Sequence, residues 1–80
     1  MATMDKLTDI LRDLFDDYTG PITPATTAED IPDWDSLAQV KLMVQVERGF
    51  GIRFDAREVT APQNVGELVA LIDQKLAAKG

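Results

Sequence analysis

The segment 33–37, Asp-Trp-Asp-Ser-Leu, places one hydroxyl at the predicted start of an apolar helix, directly after an acidic residue. The free N–H groups and the positive dipole end of a helix N-terminus favour an anion, so Ser36 is a candidate attachment point for a phosphate-bearing group. The chain contains no His and no Cys that could activate this hydroxyl, so another enzyme would have to make the attachment. A simpler alternative is that Ser36, or Asp35, only caps the helix by accepting a backbone hydrogen bond.

The elements that position Ser36 are predicted to be helices. Apolar residues at spacings of three and four predict a first helix of about 14 residues, with the stripe Leu7, Ile10, Leu11, Leu14, Phe15 and Tyr18. Segment 19–32 contains three prolines and no periodicity, which predicts a long first loop whose apolar anchors are Ile22 and Ile31. Segment 36–50 is apolar nearly all round, so we expect a helix at the centre of the domain that is contacted on several sides.

The C-terminal half predicts a connector and two further helices. A lone strand at 52–54 would have no pairing partner, so this segment is interpreted as a connector packed on the core. Asp55 and Glu58 have the spacing of a capping box and predict a short helix before Pro62. Asn64 and Glu67 repeat that spacing at the start of the last helix. The sequence therefore predicts one all-α domain over residues 1–80, a small four-helix bundle with three longer helices, one short helix and a long first loop.

Composition excludes several classes of function. The net charge of −6 and pI near 4.3 disfavour nucleic acid and anionic membranes. Without Cys and His the chain lacks disulfides, thiolate nucleophiles and the usual zinc ligands, and its carboxylates near Ser36 lack the calcium-loop spacing, so neither catalysis nor a metal site is predicted. No apolar run approaches the length of a membrane span, and the N-terminus lacks a secretion signal. We expect a cytoplasmic monomer.

Segment 34–42, continuing through Glu47 to the Phe-Gly-Ile run at 50–52, resembles the acyl carrier protein family. The resemblance covers nearly the whole chain. It implies that Ser36 carries 4′-phosphopantetheine, transferred from coenzyme A by a phosphopantetheinyl transferase, and that an acyl or aminoacyl group is held on it as a thioester. It also implies that the chain is a carrier loaded by partner enzymes and not itself an enzyme.

The resemblance implies roles for further residues. Asp35 would assist the transferase by helping to hold its Mg²⁺, and Leu37 would lie on the surface beside the arm. An interior able to receive an acyl chain would be lined by Leu42, Val46, Phe50, Phe54, Leu68 and Ile72. For each of these six residues an ordinary place in the core explains the sequence equally well.

The sequence departs from the family in the charge of the helix that follows the serine. In fatty-acid-synthase carriers this helix is strongly acidic and docks on basic patches of partner enzymes, whereas here its acidic residues are limited to Glu47 and the preceding Asp35. We therefore predict a specialised pathway with a dedicated activating ligase and a downstream transferase or synthase. The predicted recognition residues are Trp34, Lys41, Glu47 and Arg48. Trp34 has the alternative role of packing the loop onto the core.

One alternative of a different class remains. The domain would be a non-covalent helical interaction module that binds a partner helix in an apolar groove, and Ser36 would be a plain helix N-cap.

Overall fold

A computed structural model describes residues 2–79, which form four helices and no β-strand. The helices are α1 (Ala2–Leu14), α2 (Ser36–Phe50), α3 (Ala56–Thr60) and α4 (Val65–Lys79). Helix α1 packs against α2 and α4, and α3 packs against α2. The predicted bundle of three longer helices and one short helix is confirmed. No helix of residues 2–79 combines the length and apolarity needed to cross a membrane.

The core collects apolar side chains from every long helix and from the loop between α1 and α2. Ile31 anchors that loop and is almost fully buried, and Ile22 packs against the same cluster from a half-buried position. The connector after α2 contributes Ile52, as expected for a segment packed on the core. The buried cluster consists of Leu7, Leu11, Phe15, Ile31, Ala38, Leu42, Met43, Val46, Ile52, Val65, Leu68 and Ile72.

Helix α1 ends before the last two residues of the apolar stripe that predicts it. The helix stops at Leu14, and Phe15 and Tyr18 continue the stripe from a turn, in which the Tyr18 N–H donates to the Phe15 carbonyl at 3.0 Å. Asp16 and Asp17 follow the last helical residue. Negative charge is unfavourable at the negative end of a helix dipole, which explains why the helix does not extend to Tyr18.

Helix α2 is contacted on fewer sides than its composition predicts. Leu42, Met43 and Val46 are buried, but Leu37, Val40 and Val44 are 64%, 50% and 40% exposed. The prediction that α2 is contacted on several sides is therefore wrong for the side that bears Leu37, Val40 and Val44, although α2 does pack against both α1 and α3. One apolar stripe of α2 consists of Leu37, Val40 and Val44, and a second, on a different side of the helix, consists of Leu42, Val46 and Phe50. The bundle covers only the second stripe.

The start of α4 is joined to the long first loop through backbone hydrogen bonds. The Val65 N–H donates to the Thr26 carbonyl at 2.9 Å, and the Gly66 N–H donates to the Pro24 carbonyl at 2.8 Å. The Asn64 side chain accepts from the Glu67 N–H at 2.8 Å, as its spacing predicts. These bonds satisfy N–H groups that a helix N-terminus otherwise leaves free.

Helix α2 passes to α3 through a left-handed glycine and a carboxylate clamp. Gly51 adopts φ 68°, a conformation that favours glycine, and its N–H donates to the Glu47 carbonyl. The Glu47 carboxylate accepts from the Phe54 N–H at 2.7 Å and fixes the connector. Asp55 and Glu58 form the predicted capping box of α3.

Candidate functional site

Ser36 is the first residue of α2, and its side chain is exposed. The N-cap is Asp35, with extended backbone angles of φ −104° and ψ −171°. Its carboxylate accepts from the Ala38 N–H at 2.8 Å. The alternative in which Ser36 is the cap is therefore wrong, because the neighbouring carboxylate already fills that role and leaves the hydroxyl of Ser36 unused.

The first turn of α2 retains hydrogen-bonding capacity around this hydroxyl. Within residues 2–79, the N–H groups of Ser36 and Leu37 have no protein acceptor, and no side chain is hydrogen-bonded to the Ser36 hydroxyl. Such N–H groups, together with the helix dipole, suit an anionic phosphodiester. Because no side chain of the described residues is hydrogen-bonded to this hydroxyl and could act as its base, the geometry fits a residue that is modified by another enzyme.

A groove of about 360 Å³ lies beside Ser36, between the long loop, α2 and α3. Its walls are mostly apolar and come from all three elements, which makes it a suitable surface for a flexible chain attached at the serine. The lining residues are Ala28, Trp34, Asp35, Ser36, Gln39, Val40, Val59, Thr60 and Pro62.

Trp34 and Gln39 form a hydrogen-bonded bridge across this groove. The indole N–H of Trp34 donates to the Gln39 Oε1 at 2.6 Å, and the Gln39 Nε2 donates to the Val59 carbonyl at 2.7 Å. The indole ring also stacks on Phe15, with ring centroids 5.5 Å apart. Trp34 is half-buried, so packing the loop onto the core is at least part of its role.

The outer face of α2, defined by Leu37, Val40, Lys41, Val44 and Arg48, is exposed along its length from Ser36. Lys41 and Arg48 lie on the same face as its three apolar side chains, and neither cation is ion-paired within the part of the chain that the structure describes. Glu47 is the single acidic residue of α2 and is half-buried, with its carboxylate bonded to the connector. The outer face therefore carries no acidic side chain.

The predicted recognition residues thus fall into two groups. Lys41 and Arg48 lie exposed on the outer face, whereas Trp34 and Glu47 are half-buried and make structural hydrogen bonds. Leu37 lies on the surface next to Ser36, as expected.

The six residues predicted to line an acyl-chain interior lie in or against the core. Leu42, Val46, Leu68 and Ile72 are fully buried, and Phe50 and Phe54 are half-buried against the same cluster. None of the six lines the groove beside Ser36. Their role toward a chain stays a prediction.

Several groove residues were missed by the sequence reasoning. Gln39 lies one helical turn after Ser36, a spacing that places both on neighbouring positions of the helix surface and was available from the sequence. Ala28, Val59, Thr60 and Pro62 gave no such signal, because only the packing of the loop and α3 brings them to α2.

Helix α3, which forms one wall of the groove, is tied to α4 by an ion pair. The Lys75 ammonium lies 2.6 Å from the Glu58 carboxylate, and both side chains are partly exposed. The hydrogen bond from Lys75, and then the one from the Asp55 N–H, hold the pKa of Glu58 below its ordinary value.

Comparison with known proteins extends this description. Residues 5–72 match the family described as "Phosphopantetheine attachment site". The meromycolate extension acyl carrier protein of Mycolicibacterium smegmatis is 32% identical over 79 residues, which cover 94% of this chain and 79% of that protein. An acyl carrier protein of Rhodococcus erythropolis is 30% identical and covers 98% of this chain and 89% of its own length.

A solved structure agrees with the fold. The solution structure of a holo acyl carrier protein from Geobacter metallireducens superposes with a TM-score of 0.87 at 44% identity, over 99% of this chain and 91% of that one. The chain therefore belongs to the acyl carrier protein family, and its prosthetic group is 4′-phosphopantetheine. Members of this family are carriers rather than catalysts and work with a phosphopantetheinyl transferase and biosynthetic enzymes.

Proposed function

We propose that 4′-phosphopantetheine is attached to Ser36 and that its thiol carries the cargo as a thioester. The observation that carries this proposal is an exposed hydroxyl at the first turn of α2, beside two N–H groups without a protein acceptor. Ser36 is also the only serine in the chain. Asp35 then has two roles, as the helix cap and as a carboxylate that helps to hold the Mg²⁺ of the transferase, and Leu37 is a surface contact beside the arm.

The cargo we propose is an acyl group of a specialised lipid or secondary-metabolite pathway. The relatives are acyl carriers by name, and several are named for meromycolate extension, which favours an acyl over an aminoacyl group. The long apolar core and the mostly apolar groove beside Ser36 also suit an alkyl chain, since each buried CH₂ contributes about 0.8 kcal/mol.

The partners we propose are a dedicated activating ligase and a downstream transferase or synthase that dock on the outer face of α2. The apolar side chains Leu37, Val40 and Val44 would fill a depression on the partner. Lys41 and Arg48 would pair with carboxylates at the rim of that depression. Acidic fatty-acid carriers, in contrast, dock on basic patches of their partners. This charge pattern supports a pathway separate from bulk fatty-acid synthesis.

The test of Ser36 is intact-mass analysis after incubation with coenzyme A and a broad-specificity phosphopantetheinyl transferase. The wild-type chain should gain one phosphopantetheine, and Ser36→Ala should gain none. Thr60→Ala is the matched control, because it removes another hydroxyl from the same groove and should still be modified. No gain by the wild-type chain with several transferases, or an equal gain by Ser36→Ala, would contradict attachment at this residue.

A further inference from the structure

The bridge formed by Trp34, Gln39 and the Val59 carbonyl closes one side of the groove beside Ser36. Both polar atoms of the Gln39 amide are used, one toward the loop and one toward α3. All three residues line the groove. A single side chain of α2 therefore holds two of the groove's walls in place.

Helix α3 is the element that this bridge would most affect. It has only five residues and no fully buried side chain. The Val59 carbonyl is available to Gln39 because it lies in the last turn of α3, and the N–H of Gln63, four residues on, donates to Glu67 instead. Short elements with few buried contacts open at low free energy, so a single hydrogen bond makes up a large share of the free energy that holds α3 in place.

Two further polar contacts that hold this region within residues 2–79 lie away from the groove. Glu47 holds the connector at the Phe54 N–H, and Lys75 pairs with Glu58 from α4. Neither contact involves a residue that lines the groove. The bond from Gln39 to Val59, by contrast, joins two residues that line the groove beside Ser36.

We infer that Gln39 is a positioning residue that latches α3 to α2 and so controls whether a chain attached at Ser36 passes from the groove into the core. This rests on the proposed attachment at Ser36. Leu42 and Val46 follow Gln39 by one and two helical turns and are fully buried, so a chain can enter the core there only if α3 moves outward. That movement breaks the bond between the Gln39 Nε2 and the Val59 carbonyl and leaves both groups without partners in a partly buried place, which is unfavourable. With the latch intact, the cargo stays in the groove unless burial of its apolar part contributes more free energy than the broken hydrogen bond costs.

Three variants separate the parts of the latch. Gln39→Met keeps a similar length and removes both hydrogen bonds. Gln39→Glu still accepts from the Trp34 N–H but cannot donate to the Val59 carbonyl. Gln45→Met makes the same chemical change at an exposed position of the same helix and serves as the matched control.

The first measurement is amide hydrogen exchange of α3 in the unmodified protein, together with the fluorescence of Trp34, the only tryptophan. We expect exchange in α3 to be about fivefold faster in both Gln39 variants, the change expected for the loss of one net hydrogen bond, and unchanged in Gln45→Met. The emission of Trp34 should change most in Gln39→Met, which alone removes its acceptor. Exchange in α3 that equals the wild type in both Gln39 variants would overturn the latch.

The second measurement uses acetyl and octanoyl forms, made from the corresponding acyl-coenzyme A by a broad-specificity transferase. The rate at which hydroxylamine cleaves each thioester reports how far the cargo is withdrawn from solvent. The ratio of the acetyl rate to the octanoyl rate should be several-fold larger in Gln39→Met than in the wild type or Gln45→Met. Equal ratios in all three proteins would overturn the control of cargo entry. A failure of every form to load would instead contradict attachment at Ser36, and the exchange measurement would still decide the latch.

Discussion

Asp35 shows how one side chain can serve the fold and the modification at the same site. Its Oδ1 accepts from the Ala38 N–H and begins α2, while its charge lies beside the hydroxyl of Ser36. The capping role needs only an oxygen acceptor, which Asn also supplies. The proposed role toward the transferase needs a negative charge. The two roles can therefore be separated by substitution.

We predict that Asp35→Ala lowers the free energy of unfolding by about 1 kcal/mol, because α2 loses its cap, whereas Asp35→Asn leaves it nearly unchanged. Both variants should be modified more slowly by the transferase, because both lack the carboxylate. Urea denaturation measures the first effect, and a time course of intact mass measures the second. Modification of Asp35→Asn at the wild-type rate would show that the charge is not used.

At the scale of the element, α2 divides its apolar residues between two tasks. The side bearing Leu42, Met43 and Val46 builds the core, and the outer face presents Leu37 and Val40 to solvent near Ser36. Exposed apolar side chains of this kind, grouped on one face, are typical of an interaction surface. The cations on the same face define which partners it can accept.

We predict that Lys41→Glu improves docking to a fatty-acid ketosynthase that presents a basic patch, because it replaces a repulsive charge with an attractive one. The expected gain in affinity is about twofold to fivefold at low salt, as for a charge at the rim of an interface, and it should fall as salt rises. Lys79→Glu is the control, since it changes the net charge equally while its side chain lies beside Gly51, at the end of α2 that is distant from Ser36. Affinity titrations of the holo proteins with the ketosynthase measure the gain. The same gain from both variants would refute a specific role for the outer face.

At the scale of the whole molecule, the packing between distant segments decides how two helical glycines, Gly66 and Gly49, respond to substitution. A Cβ at Gly66 would lie 3.0 Å from the Pro24 carbonyl oxygen, which is backbone and is itself bonded to the Gly66 N–H. A Cβ at Gly49 would meet only side-chain atoms, the Ile10 Cδ1 at 3.2 Å and the Lys6 Cε at 3.8 Å. The first contact can be relieved only by moving the loop away from the helix.

We predict opposite results for Gly66→Ala and Gly49→Ala. Gly49→Ala should be neutral or should stabilise the protein by up to about 1 kcal/mol, because Ala is the better helix former and the Ile10 side chain can shift. Gly66→Ala should destabilise it by about 1 kcal/mol or more, because a loop–helix hydrogen bond must lengthen. Thermal and urea unfolding of the two variants side by side test this. An equal effect on both would mean that the loop is held less tightly at Pro24 than the structure indicates.

The sequence by itself determined the features that depend on near neighbours along the chain. The capping box of Asp55 and Glu58, the start of α2 after Asp35 and the glycine that ends it all act within one or two helical turns, so their residue types and spacings carry the information. The segment around Ser36 also indicated the family, because its attachment motif is local.

Only the tertiary structure decided the features that depend on packing between distant segments. Both stripes of α2 have the same apolar character, so composition could not show which one α1 and α3 would cover. The bridge from Gln39 to Val59 joins residues 20 positions apart, and it exists only because α3 folds back onto α2. The groove beside Ser36 has the same origin, because its walls come from three elements whose meeting is fixed by burial of the common core.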